Sequence, residues 1–535
     1  MKAVYTFIAL LFISLQSQCQ NYSWAKQAGG TDADEAYSVA YDNSGNSYIT
    51  GSFSGTATFQ TTMLTSAGGT DMFLAKYDPS GNLIWVQQAG HNANQQGHMV
   101  ATDNSGNVYV AGEFEGSITF GAQTLTSSGL MDIFLVKYDA GGSVQWVFNG
   151  GSSGMDAANS LKTDAAGNIY MTGNFENVLY FGPLNLISTG YTDIFVTKFN
   201  SFGGMLWLVR AGGVLEDDGH GLAVDNSGNV CITGYFQQVA TFGSLTLNAV
   251  NTMKDIFIAK LTTNGIFIWA VRAGGLDDDG GYEADADAAG NFYVAGSFKG
   301  TSQFGSININ SNNGTEDMFV TMVDGSGIFY WATGGGGLGT DKAYSLAWSA
   351  TGKLFCTGSY EGTATFGSTT LNSAGDKDIF ITSINTGGSF NWTWSAGNAG
   401  YDRGYGIESN AAGSVWVTGR FEQTTSFGAT TLTSAGLNDV FLTRIETMVS
   451  VPELKNDFII HVFPNPFNGE LIVTSNQFGV KKIEIINRLG EIVSDKQLQA
   501  ASNNFKLQTS NLSPGIYFLK ITGDKESAVF KIIKQ

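Results

Sequence analysis

Seven positions spaced 61 or 62 residues apart carry the groups best suited to chemistry: Asp34, Gln95, Asp156, Asp217, Asp279, Asp341 and Asp402. Six carboxylates and an amide gathered in one place could hold a hard cation such as calcium, which takes oxygen ligands. Three residues further on in each copy stand Tyr37, His98, Asn159, His220, Tyr282, Tyr344 and Tyr405. Tyrosine and histidine join a flat face to a polar tip, which suits contact with sugar or peptide. His98 and His220 could also ligate a metal or exchange protons. Each reading competes with a structural one. Aspartate where a loop enters a strand caps backbone N–H groups, and aromatic residues mostly fill space between sheets. The clusters Glu216-Asp217-Asp218 and Asp277-Asp278-Asp279 raise local charge. They lack the alternating ligand spacing of a calcium loop, so no metal site is assigned and calcium stays the single candidate cofactor. His91 and His461 have no partner by spacing.

No nucleophile elbow, phosphate loop, zinc-protease helix or dinucleotide fingerprint is present. Catalysis needs unlike groups to converge, whereas here almost every position is repeated. The breaks in the pattern are modest: Gln95, His98, and one extra residue in each of repeats four and five. The net charge of −19 resides in the repeats, because residues 451–535 are slightly basic. Such a surface repels nucleic acid.

The elements that position these residues follow from a ruler of tryptophans at 24, 85, 146, 207, 269, 331 and 392. Glycine, threonine, serine and aromatic residues abound and helix-period segments are scarce, which predicts an all-β chain. Each repeat reads as four strands. In the first, "AYSVAYD" meets "SYITGSF" across a polar Gly turn, and "DMFLAKYD" turns through Pro-Ser-Gly-Asn into "LIWVQQAG". Alternation in the third strand puts Phe73, Ala75 and Tyr77 on one face and Leu74 and Lys76 on the other. The long interval carrying "TFG…TLTSxG" predicts an extra hairpin and a candidate binding surface. The last repeat lacks a Trp strand, and the strand at 22–29 has no partner before it. Joining them predicts a seven-bladed β-propeller closed by its N-terminal strand, with the Asp and Tyr/His positions around one mouth of the channel.

Written out as "DxxGNxYxTGxF…DxFxxKYDxxGxxxW…GG", residues 22 to 446 resemble the SBBP-type β-propeller repeat family of bacterial exported proteins. The resemblance implies a propeller and no single activity.

The ends supply an address. Lys2, an apolar run from Thr6 to Leu15 and small residues at Ser17 and Cys19 read as a signal peptide over 1–19. An acylated Cys19 is the alternative. Cys231 and Cys356 fall in different repeats at non-equivalent positions and read as buried thiols. Residues 20–446 are assigned to the propeller, 447–460 to a linker and 461–535 to a small β-sandwich. Pro464-Asn465-Pro466, "IINRLGEIV" with Gly490, Leu512-Ser-Pro-Gly515-Ile-Tyr517 and Lys531-Ile-Ile-Lys534 resemble the type A sorting domain of the type IX secretion system. That resemblance implies Sec export, recognition by the type IX machinery, and release or anchoring at the outer surface.

The expectation is therefore a secreted or surface-attached binding or adhesion module for glycan or protein. It has no nucleic-acid partner and no transmembrane segment. A polysaccharide lyase or hydrolase at the channel mouth, or a purely structural scaffold, is the alternative.

Overall fold

The computed structural model describes residues 22–446, 460–475, 481–488, 491–497, 504–522 and 527–535. The expected signal peptide, Gly490 and all of the expected linker but Ile460 lie outside the described residues. The chain divides into two compact units between Thr447 and Met448. Among the described residues every regular element is a strand except a single 3-10 turn at Asn312–Gly314.

Each repeat builds four antiparallel strands, except that the last supplies three and takes Tyr22–Gly30 as its fourth. In the first these are Asp34–Tyr41, Ser47–Phe59, Thr62–Tyr77 and Leu83–Ala89, paired in that order. The second and third outrun the sheet as the extra hairpin, from Thr56 opposite Thr65 to Phe59 opposite Thr62. That hairpin pairs with the final strand of the preceding repeat, as Phe181 does with Gly150 and Phe242 with Ala211. Most neighbouring sheets are thus joined edge to edge, whereas the sheets of the sixth and seventh repeats share no such pairing among the described residues.

Both faces of each sheet are apolar, so each must be covered by a neighbour. Phe73, Ala75 and Tyr77 pack with Trp416, Val440 and Leu442 of the last repeat. From the opposite face, Met72 and Leu74 pack with Val110, Phe114 and Phe134 of the second repeat. The same division holds between each pair of successive repeats. The strand Tyr22–Gly30 lies along Thr430–Ile445, from Trp24 opposite Arg444 to Ala28 opposite Val440. Thr443 Oγ1 donates to the Trp24 carbonyl at 2.8 Å. The first strands of the repeats neighbour one another in order, and Arg403–Ser409 of the last lies beside Asp34–Tyr41 of the first.

The tryptophans fasten one sheet to the next. Trp24, Trp85, Trp207, Trp269 and Trp331 each donate Nε1 to a carbonyl in the following repeat's turn, at 2.8 to 3.2 Å. Each indole also lies against a left-handed glycine of that turn, as Trp207 does against Gly265 at φ +79°. A Cβ at Gly265 would sit 2.8 Å from the Trp207 ring.

In the second unit, strands Ile460–Phe463, Glu470–Ser475 and Asn504–Gln508 form one sheet. Ile492–Gln497, Lys482–Ile486, Gly515–Thr522 and Ser527–Lys534 form another. Phe467, Leu471, Val473, Ile483, Leu519 and Ile532 from both sheets share one core. The Pro464-Asn465-Pro466 segment is tied to the last strand. Asn465 Nδ2 donates to the Lys531 carbonyl at 2.8 Å, and its Oδ1 accepts from Ile533 N at 2.9 Å. Lys534 Nζ donates to the Asn468 carbonyl at 2.7 Å, Gly515 pairs with Lys534, and the Tyr517 hydroxyl donates to the Ser513 carbonyl at 2.9 Å.

Gly265→Ala both forces a side chain into left-handed backbone and drives it into Trp207. It is expected to destabilise the repeat unit by about 1–3 kcal/mol, read as a lowered urea midpoint. An unchanged midpoint would mean that the turn yields and the indole is not a fastener.

Candidate functional site

The first strand of every repeat contains a register shift at one residue: Tyr37, His98, Asn159, His220, Tyr282, Tyr344 or Tyr405. An extra residue of this kind is left unpaired and re-aims its side chain. All seven side chains line one cavity of about 780 Å³, within the range of a small-molecule or oligomer site. They touch in series. His98–Tyr37, Tyr37–Tyr405, Tyr405–Tyr344, Tyr344–Tyr282 and Tyr282–His220 have centroid separations of 5.7, 5.5, 5.6, 6.2 and 5.5 Å. Asn159 fills the gap between the histidines, donating to Asp218 Oδ1 at 2.9 Å and to the Gly219 carbonyl at 3.1 Å. The result is a collar of aromatic faces with hydroxyl and imidazole tips.

The aspartates do not join it. Asp34, Asp156, Asp217, Asp279, Asp341 and Asp402, expected at the mouth, are buried and spent on backbone N–H groups. Asp217 Oδ2 accepts from Gly213 N at 2.6 Å and Oδ1 from Gln237 N at 3.2 Å, and the other five repeat this pattern. Gln95 does the same work with an amide. It accepts from His91 N at 3.1 Å and donates to the Glu115 and Ser117 carbonyls at 3.3 and 3.2 Å. Burial pushes the six carboxyls up to about 7. A second buried aspartate beside each, such as Asp193 beside Asp217, adds to the rise. These residues clamp the strand entrance, and a capping role removes them from the ligand-facing set.

The two histidines are held separately. His98 Nδ1 lies 3.2 Å from the Ala158 carbonyl and its Nε2 3.7 Å from Glu113. His220 Nε2 lies 3.6 Å from Asp218. Among the described residues no three His, Cys, Asp or Glu side chains are grouped to hold a metal. Cys231 and Cys356 are free and buried.

Sequence reasoning missed a knot of unlike charges deeper in the same cavity. Lys162 Nζ lies 3.9 Å from Glu283 Oε1, and Glu283, Lys162 and Glu408 line the cavity wall. Asp285 completes the group and accepts from Trp348 N at 2.7 Å. Burial pushes the Glu283 and Glu408 carboxyls up to about 7, against the pull of Lys162. One ammonium cannot neutralise three carboxylates. The signal was present in the repeats: Lys162, Asp285 and Glu408 stand where the other copies have Ala40, Ala101, Ala223 and Ala347.

Two outcomes follow. Asp217→Ala strands two buried N–H donors and is expected to cost about 2 kcal/mol or more in unfolding free energy, whereas Asp217→Asn keeps an acceptor and costs less. Equal midpoints for both would remove the capping role. For Glu408, the folded carboxyl titrates near 7 against 4.5 unfolded. The folded state therefore holds the extra proton between these values, and stability falls as pH rises through that window. Glu408→Gln, neutral throughout, is expected to flatten the fall, measured as urea midpoints at about pH 5 and about pH 8. A variant as pH-sensitive as its parent would refute this.

Residues 461–535 match the model of the secretion system C-terminal sorting domain, and residues 23–52 and 84–113 match that of a β-propeller repeat. An uncharacterized WD repeat-containing protein of Acanthamoeba polyphaga mimivirus is 24% identical over 319 residues, or 47% of this chain and 23% of its own length. The regulatory protein FlaEY of Caulobacter vibrioides is 29% identical over 140 residues, 25% of this chain and 15% of its own. The chain thus spans under a quarter of the length of these relatives. Among solved structures, a puromycin hydrolase aligns with TM-score 0.37 and 10% identity, covering 85% of this chain and 61% of that one. The extracellular domain of a one-component system from B. thetaiotaomicron aligns with TM-score 0.18 and 10% identity, covering 94% and 80%. No described helix is long and apolar enough to cross a membrane. The chain carries β-propeller repeats of the SBBP family together with a type IX sorting domain at 461–535, and so is an exported protein, secreted or attached at the outer-membrane surface.

Proposed function

We propose that residues 20–446 form a closed seven-bladed β-propeller that binds a glycan chain through the collar of its central cavity. Residues 461–535 deliver it outside the cell through the type IX machinery. Closure is supported by the pairing of Tyr22–Gly30 with Thr430–Ile445 and by the apolar cluster shared by first and last repeats. The observation that carries binding is the run of aromatic contacts from His98 to His220 at 5.5 to 6.2 Å. Seven such spacings around a circle set opposite members roughly 13 Å apart between centroids, room for one sugar chain between facing rings. Each member is an extra residue in its strand. A side chain serving only to fill the sheet interface would have no need of that displacement.

The test is calorimetric titration with a panel of neutral and acidic hexasaccharides. At least one is expected to bind, and the double variant Tyr37→Ala/Tyr405→Ala is expected to weaken that binding about tenfold or more. A panel with no binder, or binding indifferent to both tyrosines, would sink the reading.

A second reading rests on Glu283 and Glu408. Carboxyls titrating near neutrality beside a lysine are suited to proton transfer to or from a bound sugar. Shortened oligosaccharides after incubation, abolished by Glu408→Gln, would make the protein an enzyme.

A further inference from the structure

The collar's rim is not symmetric in charge. Two residues before each collar position stand Glu35, Gln96, Ala157, Asp218, Gly280, Lys342 and Arg403. Cations thus occupy two adjacent repeats, six and seven, in a chain whose net charge is −19. Arg403 faces Arg420 directly across its strand pair, where the same register sets Glu35 opposite Ser52 and Lys342 opposite Ser359. Like charges directly opposed in a sheet are destabilising. A third cation closes on them: Arg403 Cζ, Arg420 Cζ and Lys377 Nζ lie 4.5, 4.9 and 5.7 Å from the centroid of one ring, Tyr401.

Their partners are unequal. Arg420 pairs with Glu35, Lys342 with Glu316 at 2.7 Å, and Lys377 reaches Glu361 only at 4.0 Å. Arg403 has hydroxyls alone. It donates to the Tyr405 hydroxyl at 3.2 Å and to that of Tyr401, with no ion-pair partner among the described residues. The Nε atoms of Arg403 and Arg420 are buried without an acceptor. Burial, followed by the charge of Arg403, holds the Lys377 amine below its ordinary range. Arg403, Lys342, Tyr344 and Tyr405 all open onto the cavity.

We infer that Arg403, backed by Lys377 and flanked by Tyr405 and Tyr344, is the subsite for a sugar carboxylate, so that the bound glycan is a uronate polymer. This rests on the glycan-binding reading and narrows it. A planar carboxylate matches the guanidinium fork in two parallel hydrogen bonds, which a point-charge ammonium cannot do. It would also relieve the repulsion between Arg403, Arg420 and Lys377. The tyrosine faces beside it can stack on the pyranose ring that bears the carboxylate. Glu113 and Asp218 on the far arc, each near a histidine, would repel a second carboxylate and orient the chain.

The test titrates the full-length protein with tetragalacturonate and with its full methyl ester, which keeps the sugar and removes the charge. The acid is expected to bind about tenfold or more tighter than the ester. Arg403→Gln is expected to abolish that preference by weakening the acid far more than the ester, and Arg403→Lys to retain part of it. Unfolding midpoints of both variants establish that they fold. Equal affinity for acid and ester, or a preference that survives Arg403→Gln, would overturn the subsite and leave glycan binding standing. Failure of acid, ester and every hexasaccharide of the panel to bind would remove both readings.

Discussion

A four-stranded sheet with two apolar faces cannot be stable alone, and that constraint organises the repeat unit. Phe73, Ala75 and Tyr77 on one side and Met72 and Leu74 on the other each need a partner sheet. Among the described residues each of these faces shares an apolar cluster with a neighbouring repeat, the first repeat with the last on one side and with the second on the other. The strand Tyr22–Gly30 answers that demand by completing the sheet built from the final repeat. Indole-to-turn fastening acts on the same interfaces from the outer rim. The buried aspartates act at the strand entrances, where N–H groups would otherwise be stranded.

Much of this was legible because repetition multiplies weak signals. One tryptophan says little, but seven at a fixed period mark a unit, and alternation in "FLAKYD" assigned the two faces of its third strand. The site was legible only in part. The collar residues were identifiable as recurring aromatics, but their projection into a cavity depends on a local bulge, which no side-chain pattern announces. The aspartates left two readings open because a carboxylate is the same letter whether it caps a backbone or faces a ligand. What separates the two is burial, and Gln95 doing the same work with an amide shows that charge is dispensable there.

Asymmetry was the signal least used. Repetition draws attention to what recurs, whereas selective chemistry resides in what does not. Lys162, Asp285 and Glu408 replace alanines, and Arg403 and Lys342 occupy a position that other copies give to small, amide or acidic residues. A scaffold with uniform walls can hold a chain of any composition. Arg403 and Lys342 give the cavity a basic side, and Lys162, Glu283 and Glu408 add a cluster of unlike charges to its wall.

The seam between Tyr22–Gly30 and Thr430–Ile445 also has a kinetic meaning. Its hydrogen bond from Thr443 to Trp24 spans 419 residues of chain. The entropy of closing so long a loop grows only slowly with length, but contacts this remote slow folding. Without that pairing the first strand is an unpaired β edge, open to pairing with the wrong chain. The seam therefore also shields those nine residues from a foreign strand.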